Sequence, residues 1–161
     1  MEIRKEIDDH ITPNMMIYSM STITDRALPD VADGLKPVHR RILYAMYNAG
    51  YSSNKEYVKT VNPISETMKI HGHGDSSIEG AIALLTDKNE TLLHPYIEGE
   101  GSFGKVYNTD KPSAPRYTFC RLSNFVEECF LKGLSKNIVD FVTESGHKQP
   151  VLLPNIFPNI L

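Results

Sequence analysis

The chain contains no tryptophan and two cysteines, and no apolar run approaches the roughly 18 residues that a membrane span requires. Its N-terminus is charged (Glu2, Arg4, Lys5, Glu6) and lacks the pattern of a secretion signal. A cytoplasmic protein is expected. Cys120 and Cys129 form neither a disulfide framework nor a zinc pattern. Both fall in a stretch read as apolar helix, where packing is their expected role. Charge of one sign is also scarce: 17 Lys+Arg against 20 Asp+Glu give a net charge of −3. That balance excludes a protein that holds nucleic acid by bulk charge. A tight acidic pair such as Asp-x-Asp is missing too. Glu98 and Glu100, flanking Gly99 in a loop, are the nearest approach to a Mg²⁺ ligand pair.

What is present suits a single globular domain with a small appendage: 161 residues, 40% hydrophobic and 23% charged. The charge is unevenly spread. Residues 1–35 hold three Lys/Arg and seven Asp/Glu, residues 36–121 hold eleven and nine, and residues 122–161 hold three and four. The basic groups concentrate in the middle, where a polyanion could be held locally.

Thr12-Pro13 reads as an N-cap with proline in the first turn. The helix it opens, over 14–25, carries Met15, Met16, Ile17, Tyr18, Met20 and Ile23, and is expected in a core or subunit contact. Pro29 and Gly34 break the chain. A second helix over 37–48 ends at Gly50, with Val38, Ile42, Ala45, Met46 and Ala49 as its buried face. Lys36, His39, Arg40 and Arg41 crowd its first turn. Cations there oppose the helix dipole by a few tenths to about 1 kcal/mol each, which suggests either an anion bound nearby or a solvated basic face.

A third helix is expected over 62–70. The Gly-rich turn His71-Gly72-His73-Gly74 follows, and Ser76-Ser77-Ile78-Glu79 has the form of a capping box opening a fourth helix to about residue 86. Ile78, Ala81, Ile82 and Leu85 form its inward face. Two helices joined by a short glycine-containing turn make a helix-turn-helix pattern. Residues 95–111, with Gly99, Gly101 and Gly104 and a β-leaning Lys105-Val106-Tyr107, read as a small wing. Leu122, Phe125, Val126, Cys129, Phe130 and Leu134 mark an amphipathic helix. Short β-like runs follow at 138–142 and 151–153.

Two constellations carry chemistry. His71, His73 and Asp75 alternate as zinc ligands can, but a metal hydrolase needs further ligands that His94 and His147 do not obviously supply. The other reading is a phosphate site, in which Gly72 and Gly74 admit the backbone while the imidazoles and the next helix's free N–H groups bind. The second constellation is Arg116-Tyr117. A tyrosine hydroxyl, with a pKa near 10, needs a neighbouring cation or a polarised phosphate to act as a nucleophile. Arg116 offers the cation.

Arg26-Ala27-Leu28-Pro29-Asp30, Asp33-Gly34-Leu35-Lys36-Pro37-Val38-His39-Arg40-Arg41, His73-Gly74-Asp75-Ser76 and Arg116-Tyr117-Thr118 occur in this order. Together they resemble the breakage–reunion subunit of bacterial type IIA topoisomerases, the A subunit of gyrase or of topoisomerase IV, from about residue 12 to the end. The resemblance implies a mainly α fold with a small β wing (α+β), a winged-helix domain over 26–134. An N-terminal helical arm (1–25) would precede it, and the truncated start of a β-containing region (135–161) would follow. It implies that Tyr117 forms a 5′-phosphotyrosyl bond with DNA and that Arg116 stabilises the transition state. Lys36, His71, His73, Arg26 and Arg41 would form the basic DNA-binding pocket, and His39 and Arg40 join them as DNA-binding candidates from the basic first turn of the second helix. The implied enzyme is a nucleoid-associated dimer on double-stranded DNA, each tyrosine cutting one strand. Mg²⁺ and ATP would come through a B subunit, with no metal bound by this chain.

There are departures from the family pattern. Where members usually read Lys-Tyr-His-Pro-His-Gly-Asp, this chain reads Lys69-Ile70-His71-Gly72-His73-Gly74-Asp75, and Ile64 and Met68 replace glycines of the preceding helix. In the family, a serine and an acidic residue one helical turn apart anchor quinolone drugs through a water–metal bridge. Here Ser76 is present and position 80 is glycine, which implies weaker quinolone trapping. The chain also stops before the family's DNA-bending isoleucine and dimer gates, so the fragment is expected to be inactive alone. A helix-turn-helix module that only binds DNA is the alternative from a different class.

Overall fold

A computed structural model describes residues 7–107, 110–135, 137–144 and 146–156. The elements run α1 (Ile7–Thr22), α2 (Pro37–Ala49), β1 (Val58–Lys59), α3 (Val61–Met68), α4 (Asp75–Leu85), β2 (Ile97–Glu100), β3 (Phe119–Leu122), α5 (Asn124–Val126), β4 (Phe141–Glu144) and β5 (His147–Pro150). The fold is α+β, as expected.

The helices α2, α3 and α4 form one layer and the antiparallel sheet β1-β3-β2 lies beside them. β3 is the central strand: Cys120 lies opposite Val58 on one side and Gly99 on the other. α2 forms because Pro37 occupies its first turn, where a missing N–H is harmless, and it stops because Gly50 adopts φ 74°. Between these ends Ile42, Leu43 and Met46 are fully buried, meeting Ile78 and Ile82 of α4, Ile97, Leu122, Val126 and Phe130. Each such side chain contributes about 1.5–3 kcal/mol of burial. Val38 packs only partly against this cluster and Ala49 is exposed, whereas Arg40, Leu43 and Tyr44 are buried as well, so the buried part of α2 is shorter along the axis and wider around it than its apolar pattern suggests.

The sheet also explains a tight approach near its end. Gly101 has φ +102°, and a Cβ there would lie 3.2 Å from Thr118 Cγ2. β2 can therefore close over the start of β3 only with glycine at this position.

Several local expectations are corrected. α1 begins at Ile7 and carries Pro13 inside it, so Thr12 is not its cap. Proline there forgoes one main-chain bond. A π-type turn, Ile23–Ala27, follows and is closed by Leu28 N–H donating to the Ile23 carbonyl at 3.1 Å. The apolar side chains of α1 are not in the core: Ile7, Met16, Ile17 and Tyr18 are each 66–71% exposed.

α4 is capped by Gly74 rather than Ser76, and the capping box is not made. Instead Asp75 begins the helix, its carboxylate accepting from Ser76 N–H at 2.9 Å while Ser77 Oγ donates to the Gly74 carbonyl at 2.7 Å. Lys105-Val106-Tyr107 is not a strand. Lys105 pairs with Glu90 at 2.7 Å, and Val106 N–H donates to the Asn89 carbonyl. Cys120 lies on β3 and not on a helix. The helix expected over 122–134 is a short α5 continued by a π-type turn at Glu127–Leu131. The terminal β-like runs shift into the hairpin β4–β5, with Phe141 opposite Pro150.

Candidate nucleic-acid interface

The tyrosine is positioned by its main chain. A turn closed by Tyr117 N–H to the Ala114 carbonyl, 2.9 Å, delivers the chain to β3. The next residue, Thr118, is buried and doubly tied: its carbonyl accepts from Thr60 N–H at 3.0 Å and its Oγ1 donates to Thr60 Oγ1 at 2.8 Å. Phe119 then pairs with Lys59 and Glu100. The Tyr117 side chain is free of this framework and 66% exposed. Arg116, also exposed, holds its guanidinium carbon 4.9 Å from the Tyr117 ring centroid, a cation–π distance. The geometry is that of an accessible phenol on a rigid base, with a permanent cation beside it.

The histidines are positioned differently, by side chains. His71 is buried, and its Nδ1 lies 3.0 Å from Arg41 Nη1. Arg41 Nε donates to Gln149 Oε1 at 2.9 Å. His73 is exposed, its ring 4.9 Å from that of His71 in an edge-on arrangement. α2, the 71–74 turn and β5 thus meet at one cluster. A Cβ placed on Gly72 or Gly74 meets nothing within 4 Å, so this turn lies open on its outer side.

The basic residues around the start of α2 divide. Lys36, at the N-cap, and Arg26, on the π-type turn, are exposed. His39 is half-buried, and burial, with Lys36 adding to the effect, lowers its pKa to about 4; it is neutral at pH 7. Arg40 is turned inward. Its Nε and Nη2 donate to Asp33 Oδ2 and Oδ1 at 2.6 and 2.9 Å, and both residues are buried. Asp33 also accepts from Leu35 N–H at 3.0 Å and Leu153 N–H at 3.2 Å. The expectation that Arg40 faces an anion outside the protein therefore differs from its geometry, in which a fixed bidentate pair holds the turn before α2 against the segment after β5. The Arg-Arg pair in sequence conceals two roles, one internal and one at the cluster.

The tyrosine patch is tied to the start of α3, and the histidine cluster follows its end. Thr60, which ties down Thr118, immediately precedes α3, whereas His71 lies three residues beyond it. Eight helical residues span about 12 Å, so the two patches sit toward opposite ends of α3.

The sequence pattern that describes the A subunit of DNA gyrase and topoisomerase IV matches residues 26–161. The chain belongs to this family. It is 44% identical over 159 residues to the chloroplastic/mitochondrial DNA gyrase A subunit of Nicotiana benthamiana, covering 97% of this chain and 17% of that protein. It is 40% identical over 162 residues to the DNA gyrase A subunit of Thermotoga maritima (99% and 20%) and 38% identical over 159 residues to that of Mycobacterium tuberculosis (97% and 19%). The chain spans about a fifth or less of the length of these relatives. The family expected from the four motifs is thus the family found.

In this gyrase/topoisomerase IV family chain, Ser76 and Gly80 are both exposed on α4. Four residues apart, they are neighbours on one helix face. A Cβ on Gly80 meets nothing within 4 Å. Metal ligands are a separate matter. Among the described residues no three His, Cys, Asp or Glu side chains come together, and Glu98 is engaged by Arg121 at 2.8 Å and Tyr57 at 3.3 Å. His71 faces a guanidinium. These residues fit neither a Mg²⁺ site nor a zinc hydrolase. Among the described residues no helix is long and apolar enough to cross a membrane.

Sequence reasoning missed Asp33 as a structural centre, Thr60 as the anchor of the tyrosine turn, and Gln149 altogether. Asp33, two residues before a hydrophobic in a turn, carried a local signal, since such an aspartate commonly accepts a main-chain N–H two residues on. Gln149 carried none, because its partner is 108 residues away in sequence.

Proposed function

We propose that this chain is the part of a type IIA topoisomerase that cuts and reseals double-stranded DNA. Tyr117 Oη attacks a backbone phosphorus, the bond from phosphorus to the 3′-oxygen breaks, and a 5′-phosphotyrosyl link replaces it. The departing 3′-oxygen takes up a proton. Resealing runs the same exchange in reverse, conserving the phosphodiester energy without an external reactant. Arg116 neutralises charge on the phosphoryl oxygens as the phosphorus becomes five-coordinate.

The observation that carries this reading is the exposed Tyr117 phenol, fixed through Thr118 to Thr60 and attended by Arg116 at 4.9 Å. Lys36, Arg26, Arg41, His71 and His73 form the proposed DNA-binding set. His39, neutral and half-buried, offers a hydrogen bond rather than a charge, and Arg40 acts by holding the turn that presents Lys36. α3, the 69–74 turn and α4 serve as the helix-turn-helix, and β1–β3 as the wing, of a winged-helix domain over 26–134. The helix α1 forms an arm ahead of this domain, and the hairpin β4–β5 lies outside it. The separation of tyrosine and histidine patches along α3 agrees with a homodimer whose two tyrosines each cut one strand. A B subunit supplies Mg²⁺ and ATP. The chain alone does not cleave, its partner is DNA rather than membrane, and its compartment is the bacterial cytoplasm, on the nucleoid.

The test uses this chain within a full A subunit, together with a B subunit, Mg²⁺ and supercoiled plasmid. Detergent quenching is expected to leave protein covalently on DNA 5′-ends, and Tyr117→Phe to abolish that product while duplex affinity stays. A helix-turn-helix module that only binds DNA predicts no covalent product from either protein. Covalent product from Tyr117→Phe refutes the assignment.

A further inference from the structure

We infer that Gln149 is a positioning residue for the proposed site: acting through Arg41, it holds the His71 imidazole in the Nε2–H form, the donor that a phosphate oxygen needs. The inference rests on the proposed DNA-cleaving function for its consequence, but its structural part stands on geometry alone. Gln149 is buried on β5, and its Oε1 lies 2.9 Å from Arg41 Nε. Arginine has five donors and no acceptor, so the amide must present oxygen, not nitrogen, to Nε. The guanidinium is planar, so fixing it at Nε also fixes the direction of Nη1. Nη1 lies 3.0 Å from His71 Nδ1. Arginine does not give up its proton, so the hydrogen in that contact belongs to Arg41 and Nδ1 must be bare. A neutral imidazole with bare Nδ1 carries its proton on Nε2.

The arrangement is anchored at its far end. Gln149 pairs with Val142 across the hairpin, Pro150 pairs with Phe141, and the Phe141 ring meets that of Tyr44 of α2 edge-on at 6.2 Å. The hairpin therefore holds the amide against the helix that carries Arg41. Phosphate oxygens only accept hydrogen bonds, so the Nε2–H form attracts DNA and the Nδ1–H form presents a lone pair to it. Losing a partner that orients a histidine ring commonly lowers function 10–100-fold at metal sites, and an effect at the lower end of that range is expected here.

The chain is labelled with ¹⁵N at histidine, and the His71 signals are identified by their loss in His71→Gln. At neutral pH the wild type is expected to show a bare Nδ1 and a protonated Nε2; a protonated Nδ1 overturns the inference without any variant at Gln149. Gln149→Met keeps the volume and removes the acceptor. It is expected to shift the His71 signals toward a mixture of the two forms and, within the full A subunit with its B subunit, to lower cleavage about tenfold. Gln149→Glu restores an acceptor for Arg41 and is expected to rescue both. Unchanged His71 signals in Gln149→Met, a shift without loss of cleavage, or failure of the glutamate to rescue would each overturn it. Covalent product from Tyr117→Phe alongside the expected His71 shift would instead sink the cleavage assignment and leave the tautomer result in place.

Discussion

The tyrosine patch and the histidine cluster solve opposite problems. Around Tyr117 the main chain is held and the side chain is free: Thr118 is tied twice to Thr60, yet the phenol is 66% exposed. Around His71 the turn is open and Gly-rich, and the side chains are held through Arg41 and Gln149. In the proposed function a nucleophile must reach a phosphorus and then carry the DNA end, which suits an unencumbered side chain on a fixed base. A phosphate ligand must present a donor in one direction, which suits a side chain locked by its neighbours. Substitutions at the first patch should therefore alter chemistry with little effect on stability. At the second, and at the Asp33–Arg40 pair behind it, stability and geometry should change together.

The largest effect on stability is expected at Arg40. Arg40→Met takes the bidentate partner away from the buried Asp33 carboxylate, and removing one partner of a buried ion pair typically costs about 3–5 kcal/mol. Denaturant unfolding measures this, and Asp33→Asn added to Arg40→Met should recover part of the loss. A neutral result would mean that α2 is not anchored through this pair. Arg116→Ala is the counterpart at the other patch. It is expected to lower cleavage by about 10²–10³-fold and leave the unfolding midpoint unchanged. A large stability loss would show that Arg116 is structural and erase the contrast.

A pH dependence sharpens the same division. His39 takes a proton at about pH 4 in the folded chain and near 6.5 when unfolded. The unfolded state therefore binds more protons between these values, and acid favours it. The contribution is fully present above about pH 6.5 and is lost as pH falls toward 4. It amounts to about 2–3 kcal/mol, allowing for partial exposure. His39→Gln should flatten the unfolding curve in this window, whereas a wild-type-like slope would place the dependence elsewhere. The smallest structural effect belongs to α4. Gly80→Glu meets open space and should stabilise the helix by up to about 1 kcal/mol, while strengthening quinolone-dependent cleavage complexes beside Ser76. Equal trapping by wild type and Gly80→Glu would sink the drug-contact assignment.

The sequence disclosed those features whose causes are local. Pro37 and Gly50 bracket α2 because each acts on its own backbone, and the inward face of α4 follows from helical periodicity. Arg116-Tyr117 and the histidine turn stand out as candidates for chemistry because the residue types concerned are neighbours in the chain. What depended on distant partners was not legible. Arg40 and Arg41 look equivalent until Asp33 and Gln149 are known to take one each. The apolar residues of α1 pointed to a core or a subunit contact, and their exposure rules out the first of these. The Ser76–Glu79 capping box matched a pattern, but Gly74 caps the helix two residues earlier and the Asp75 carboxylate takes the Ser76 N–H.

The central claim is that one tyrosine among eight carries the DNA. The most direct measurement traps cleavage complexes of the full A subunit with its B subunit, digests protein and DNA, and locates the nucleotide-bearing peptide by mass spectrometry. A phosphonucleotide is expected on Tyr117, within the peptide that follows Arg116. Attachment at any other residue, such as the exposed Tyr107, would contradict it.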